Sequence, residues 1–390
     1  MKKIAALLLP LALMISTISS AEKSTNSETV MQTEAETANT TTSEDIPQTE
    51  PTTENATKPT VEYYDGLICS ENMTDKEKEK SSFREFTLLD PEKCFSLSKN
   101  GRNFYAMPDA AELKVKKFTD DIREIKIYDE QLDTDFLVHI ILPPDYDENK
   151  GYPVFLMTDP AYWFKFIPDL RQLISDGEIE PLIFVTLGYD YDRNGAGEEE
   201  RFDKFIVHQK EFLDFITNDL IQTVDVNYKV DESRSVFFGH SWGGLFSDYA
   251  LFHSDNYDKQ PFSNYIIGSA ALWMYEKPEF WNEYIPEGYD ESIITEHTAC
   301  NRDYDYFERN ETMNKNVFIC AGGREGTSNI FAENGESLLN DAQALYERLQ
   351  AHNVNAELKI YEDCYHNNYV EDMLKDYLKQ NFPPENKSES

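Results

Sequence analysis

From residue 121 onward, short apolar runs alternate with stretches whose apolar positions recur at helical spacing. Residues 122–128 and 136–142 alternate or run apolar as strands do, and Pro143-Pro144 stops the second. Residues 154–157 and 182–187 are apolar runs bounded by Pro, Gly or Asp, the pattern of buried strands. Further strands are predicted over 235–238, 265–268, 317–320 and 356–361. Residues 205–223 set Phe212, Phe215, Leu220 and Ile221 on one side of a helix, and 245–252, 342–350 and 370–378 are also helical. Strand, helix, strand in regular succession predicts an α/β fold: a mostly parallel central sheet with helices on both faces. No repeat at a fixed period is evident.

The first 120 residues follow other rules. Lys2 and Lys3 precede an apolar run over 4–15, and Ser19-Ser20-Ala21 forms a small-residue cleavage site, so residues 1–21 are expected to be a signal peptide. The run is short for a membrane span, and no Cys follows it to carry a lipid. Export and release are expected, with no stable membrane anchor; an uncleaved signal-anchor is disfavoured by the cleavage site. Residues 22–60 are Thr, Ser, Glu, Asn and Pro with almost no large apolar side chains, the composition of a solvated linker. Residues 61–120 lack periodicity and are expected to be an extension packed on the sheet edge, leaving 121–384 as the main domain.

Charge excludes some partners. Against 36 Lys plus Arg stand 73 Asp plus Glu, a formal charge of −37. Binding nucleic acid or an anionic membrane requires clustered Lys and Arg, so neither is expected. The signal carries two positive charges and the linker six net negative ones, so −33 belongs to residues 61–390. Such acidity is first of all a soluble, self-repelling surface. No D-x-[DN]-x-[DN]-G loop occurs, and the nearest approach, Asp145-Tyr146-Asp147-Glu148-Asn149, lacks the needed glycine. Of five cysteines, Cys69 and Cys94 share one segment and could bridge, while Cys320 ends an apolar run and reads as core; Cys300 and Cys364 complete the set. No C-x-x-C pair or His/Cys cluster has zinc spacing, so no metal site is expected.

The strongest chemical signal is Gly239-His240-Ser241-Trp242-Gly243-Gly244, between a predicted strand and a predicted helix. This is G-x-S-x-G in the context that gives it meaning: a serine projects from a tight turn, and glycines remove side chains that would collide there. Ser241 is the candidate nucleophile, and the Trp242 amide at the helix start is a candidate oxyanion donor.

A serine hydroxyl needs a base. In this architecture the order is Ser, acid, His, which removes His139 and His208. His240 should point away from the nucleophile, His253 ends a helix, and His352 sits at a helix-to-strand turn on the far edge. His366 follows the last strand in a short loop, and ligand crevices open at the carboxyl ends of parallel strands. It is the candidate base, with His297 in reserve. The acid should follow the strand over 317–320; Glu325 is the candidate, with Asp341 and Asp363 as alternatives. A second oxyanion donor should come from the loop after 154–157. Pro160 has no N–H, which leaves Ala161 or Tyr162. Trp163, Trp273 and Tyr275, with Tyr162, offer flat faces for aromatic acyl groups or sugars, or else pack in the core. Arg201 and Arg171 could form a local cationic patch.

The chain resembles an esterase family of α/β-hydrolases that includes enterochelin esterases, feruloyl and acetylxylan esterases, S-formylglutathione hydrolases and mycolyltransferases. The resemblance runs from about Ile122 to Phe382. It is carried by Ile141-Leu142-Pro143-Pro144-Asp145-Tyr146 with Tyr152-Pro153-Val154-Phe155-Leu156, by Gly239 to Gly244 with Leu245-Phe246, and by Gly268-Ser269-Ala270-Ala271-Leu272-Trp273. One departure is Asp159-Pro160, where the family commonly has Asp-Gly, and another is the stretch 274–316, which is longer than usual and is expected to cap the site. The resemblance implies an α/β-hydrolase fold and acyl transfer to water through a Ser-His-acid triad, without metal or organic cofactor. The expected substrate is a small-molecule or polysaccharide-linked ester, such as a feruloyl or acetyl ester of plant polysaccharide. A siderophore ester is the alternative, and a catalytically silent binding module on a hydrolase scaffold is the alternative of another class.

Overall fold

The computed structural model describes residues 87–88, 107–189, 197–275, 303–325 and 338–384, all within the unit Lys58–Ser390. One nine-stranded sheet organises them: β1 (Thr87–Leu88), β2 (Ile122–Asp129), β3 (Thr134–Ile141), β4 (Val154–Thr158), β5 (Ile183–Tyr189), β6 (Val236–His240), β7 (Asn264–Gly268), β8 (Asn316–Gly322) and β9 (Asn355–Tyr361). Their spatial order is β1-β2-β3-β5-β4-β6-β7-β8-β9. β1, β2, β3 and β5 pair antiparallel in turn, and every pairing from β5 to β9 is parallel.

The helices are α1 (Asp109–Val115), α2 (Pro160–Trp163), α3 (Ile167–Ser175), α4 (Gly197–Phe202), α5 (Gln209–Asp214), α6 (Ile221–Tyr228), α7 (Trp242–Phe252), α8 (Tyr306–Arg309), α9 (Leu338–Ala351) and α10 (Val370–Asn381). Among the described residues no helix is long and apolar enough to cross a membrane.

Successive strand residues leave opposite faces. In β4, Val154 and Leu156 enter one core layer while Phe155 and Met157 enter the other; in β8, Val317 and Ile319 part in the same way from Phe318 and Cys320. Burial on both faces is why these strands read as continuous apolar runs instead of alternating ones. The first layer is closed by Phe205, Phe212, Phe246 and Leu345 from the 202–228 helices, α7 and α9. The second is closed by Val115, Leu170 and Leu374 of α1, α3 and α10. Phe136 stacks 4.1 Å from Phe215, and Phe212 lies 4.8 Å from Phe246. Each buried ring contributes about 1.5–3 kcal/mol by leaving water.

Two expectations are modified. The helix predicted over 205–223 is part of a longer helical stretch, interrupted by π-helical turns at Asp203–Val207 and Phe215–Leu220. A π turn holds an extra residue, so Phe212, Phe215, Ile216 and Leu220 all reach the core without strict 3.6-residue spacing. Within the segment expected to pack on the sheet edge, Thr87–Leu88 adds strand β1 beside β2, and α1 sends Val115 into the second layer.

Because β4, β6, β7, β8 and β9 run the same way, Asp159, Ser241, Ser269, Gly323 and Glu362 all step off one edge of the sheet. The candidate chemistry gathers there.

Candidate active site

β6 ends on His240 and α7 begins at Trp242, so the chain reverses at Ser241 alone. Ser241 has φ 60° and ψ −118°; holding a side chain at such a backbone costs about 1–3 kcal/mol, which the surroundings must supply. Its N–H donates to Gly268 O at 2.9 Å, and its carbonyl accepts Leu245 N–H at 2.9 Å and Ala271 N–H at 3.1 Å. The glycines are steric necessities. A Cβ on Gly239 would lie 1.9 Å from Gly243 O, and one on Gly244 would lie 2.6 Å from Gly268 O. The Gly268–Trp273 motif thus anchors the turn through Gly268 and Ala271. The Ser241 hydroxyl does not cap α7.

His366 lies in the loop between β9 and α10, and its Nδ1–H donates to Glu325 Oε2 at 2.7 Å. Glu325 is 2% exposed. Its other oxygen accepts Gly322 N–H and Ser269 Oγ–H, each at 2.6 Å. Backbone bonds stitch the loops after β8 and β9 together: Gly323 N–H to Tyr361 O and Arg324 N–H to Cys364 O, both 2.9 Å. Arg324 pairs with Asp363 at 2.7 Å, and Asp363 faces solvent. Asp341 is a buried residue of α9. Of the three candidate acids, the structure brings Glu325 to His366.

The His366 ring lies 4.7 Å from the ring of His240, the neighbour of Ser241. Among the described residues Ser241 Oγ and His366 share no hydrogen bond; such contacts are often loose without substrate. Burial, and then the electrostatic effect of the neighbouring His366, hold His240 well below the usual imidazole range, so it is neutral beside the candidate base. His240 Nε2 and Trp163 Nε1 are both buried without a hydrogen-bond partner among the described residues. The remaining histidines have structural surroundings: His139 bonds Glu124, His208 bonds Asp203, His253 stacks on Tyr249, and His352 stacks on Phe307. His297 lies outside the described residues.

The candidate oxyanion donors stand at two helix starts. Trp242 is the first residue of α7, so its amide lies outside that helix's own ladder. In α2, Pro160 is the first residue and Tyr162 N–H donates to Asp159 O at 3.0 Å. Of the two candidates, then, Tyr162 has its amide engaged with Asp159. The Asp-Pro departure is accommodated at Gly188, where a Cβ would lie 2.8 Å from Pro160 Cγ.

Asp159, with φ 56°, accepts Arg201 Nε at 2.7 Å and Nη2 at 3.1 Å. The guanidinium lies 5.2 Å from the Tyr162 ring and 5.1 Å from the Trp242 ring, so it clamps the α2 loop to the serine turn. Arg171 does not join it. That side chain bonds Leu142 O and Asp121, at the opposite edge of the sheet, so the expected two-arginine patch does not exist.

Of the two alternatives open for the aromatic candidates, wall or core, two side chains take the core. Trp163 is 4% exposed and packs against Phe166, Phe238 and His240, while Trp273 is 5% exposed in the first core layer. Both are core because large apolar rings at a strand-to-helix junction are drawn under the sheet edge. The side chain of Tyr275 lies outside the described residues. Tyr162 and Trp242 are partly exposed, and their rings meet across the Arg201 guanidinium next to the serine turn. Cys320 and Cys364 are free thiols, and Cys69, Cys94 and Cys300 lie outside the described residues.

Sequence reasoning missed the roles of Ser269 and Tyr369, which support Glu325, and of Asp159 in holding Arg201. The available signal for Ser269 was its position directly after a strand adjacent to the one that carries the acid.

A mostly parallel sheet whose central strand turns through a glycine-flanked serine into a helix defines an α/β-hydrolase. The model of the family described as "Putative esterase" matches residues 130–379, and the chain belongs to that family and is an esterase. No curated protein matches the sequence. Solved structures similar to it include the BES protein from Bacillus cereus, with TM-score 0.51 and 22% identity over 67% of this chain and 95% of that one. A siderophore hydrolase, EstB, from Aspergillus nidulans is similar with TM-score 0.50 and 18% identity over 67% and 96% of the two chains. An IroE-like serine hydrolase from Shewanella oneidensis is similar with TM-score 0.50 and 16% identity over 66% and 79%.

Proposed function

We propose that this esterase is a serine carboxylic-ester hydrolase that works through an acyl-enzyme. One observation carries the proposal: Ser241 stands on a glycine-flanked turn at φ 60°, beside a loop whose His366 is bonded at 2.7 Å to a buried Glu325. His366 Nε2 takes the Ser241 proton as Oγ attacks the ester carbonyl. The amides of Trp242 and Ala161 hold the oxyanion. Collapse expels the alcohol, which takes its proton from His366; water, deprotonated by His366, then releases the acid and restores Ser241. Glu325 keeps the imidazole in the tautomer with Nε2 free to accept and stabilises the imidazolium.

Feruloyl or acetyl esters of plant polysaccharide are the proposed substrates. Tyr162 and Trp242, partly exposed next to the serine turn, support this, in place of the buried Trp163 and Trp273. Siderophore ester hydrolysis is a second reading, favoured by the Arg201 guanidinium at the site and the similarity to the Aspergillus nidulans hydrolase. The Asp159 partner and the charge of −37 weigh against an anionic ligand. Export remains part of the proposal and rests on the N-terminal pattern of Lys2, Lys3 and the small-residue site.

The test is hydrolysis of methyl ferulate, acetylated xylan and enterobactin side by side, with Ser241→Ala as the blank. Turnover of either of the first two, lost in the variant, is expected. Turnover of enterobactin alone removes the polysaccharide reading, and binding without turnover favours a silent binding module.

A further inference from the structure

The carboxylate of Glu325 is held by groups that the chemistry itself does not use. A buried carboxylate is costly unless donors surround it. Oε2 receives His366, and Oε1 receives Gly322 N–H and Ser269 Oγ–H. An ionised carboxylate has no proton to give, so the single proton of Ser269 is committed to Glu325. The 2.5 Å contact between Ser269 Oγ and Tyr369 OH must therefore run from phenol to serine. Cys320 Sγ, 4.0 Å from Tyr369 OH, donates in the same sense. Tyr369 is fully buried, which pushes its phenol well above the usual range and keeps it a donor. It also stacks 5.1 Å from Tyr361, so the hydroxyl is fixed. Ser269 sits at φ 36° directly after β7, with its N–H bonded to Cys320 O at 2.7 Å. Strain at that residue persists only because its neighbours over-determine it.

We propose that Ser269 and Tyr369 are positioning residues. They form a one-way donor relay, Tyr369 to Ser269 to Glu325, that lowers the proton affinity of the Glu325–His366 pair and fixes the imidazole orientation. The inference rests on the triad reading given above. Its sign is definite. Losing a donor to the carboxylate leaves its charge less satisfied and so favours an added proton, whether it settles on imidazole or carboxyl. Loss of the relay therefore moves inactivation by acid to higher pH.

The experiment compares the full chain with Ser269→Ala, Tyr369→Phe and the double variant. Two readouts are taken: the 15N NMR titration of the His366 side chain, and the pH profile of kcat/KM on p-nitrophenyl acetate. In Ser269→Ala the titration midpoint and the acid limb should rise by about 0.5–1 pH unit, with a smaller rise in Tyr369→Phe. The kcat should fall roughly 10-fold, a fraction of what a positioned base contributes, with KM unchanged. The double variant should be no worse than Ser269→Ala, because Tyr369 acts through Ser269. An unmoved midpoint in both single variants, or losses that add, overturns the relay. Tyr369→Phe is isosteric and decides the matter if Ser269→Ala fails to fold. A wild type that hydrolyses no ester defeats the proposed function, while the titration still decides the relay.

Discussion

At the carboxyl edge of the parallel sheet, the residues directly after β4, β6 and β7 are Asp159, Ser241 and Ser269, with φ of 56°, 60° and 36°. The buried His240 Nε2 and Trp163 Nε1 lie at the same edge, without hydrogen-bond partners among the described residues. The amino edge is tied down instead. Ser235 Oγ donates to Asp231 O and accepts Val154 N–H. Arg234 links Glu180 and Asp231, and Lys315 Nζ donates to Phe262 O at 2.6 Å. At the carboxyl edge the left-handed residues stand directly at strand exits, where side chains must project into a crevice; those of the amino edge, such as Lys229 and Asn353, lie in turns ahead of strands, among closed bonding. Folds of this kind localise function at one edge because the parallel strands deliver all their outgoing loops there.

Breaking the Arg201–Asp159 clamp tests the first half of this contrast. Arg201→Ala leaves Asp159, 4% exposed, as a buried charge without its bidentate partner. Removing one member of such a pair typically costs about 3–5 kcal/mol, and urea denaturation should register a loss of that size. Activity should fall as well, since the α2 loop loses its tie to the serine turn. Adding Asp159→Asn should recover part of the stability. An unchanged denaturation midpoint in Arg201→Ala would show that the pair clamps nothing.

A smaller effect is expected at the amino edge. Burial lowers the Lys315 ammonium from 10.5 to about 8. In the unfolded chain the amine regains its ordinary affinity, so between pH 8 and 10.5 the unfolded state binds the extra proton and stability rises with pH. Below that window the folded state bears a buried cation. Lys315→Met should therefore stabilise the protein at pH 7 by about 1 kcal/mol and flatten the rise between pH 8 and 9.5, below the range where tyrosines titrate. Urea denaturation of both proteins across that range is the check. A Lys315→Met variant less stable than wild type at pH 7 would mean the bond to Phe262 O outweighs the buried charge.

Much of this organisation is legible in the sequence, for identifiable reasons. Doubly buried strands must be apolar throughout, so β4, β6 and β8 announce themselves. The serine turn is legible because backbone collision at Gly239 and Gly244 leaves no alternative residue. His366 and Glu325 follow from strand order, since each sits in the loop just past a carboxyl end. What chain position does not encode is which way a side chain turns after leaving the strand. Trp163 and Trp273 read equally well as walls or as core, and packing under the sheet edge decides for core. Arg171 and Arg201 are only 30 positions apart in the chain, yet they serve opposite edges. The bond from Ser269 to Glu325 spans 56 residues and its contact with Tyr369 spans 100. Such pairs arise from tertiary packing, and no local periodicity marks them.

The central claim is that the hydroxyl of Ser241 becomes acylated during turnover. Quenching the protein in acid midway through hydrolysis of p-nitrophenyl acetate, then mapping its peptides by mass spectrometry, reads this directly. An acetyl group on the peptide containing Ser241, absent from Ser241→Ala and slow to form in His366→Ala, is the predicted result. Acetyl on another residue, or undiminished turnover by Ser241→Ala, would contradict it.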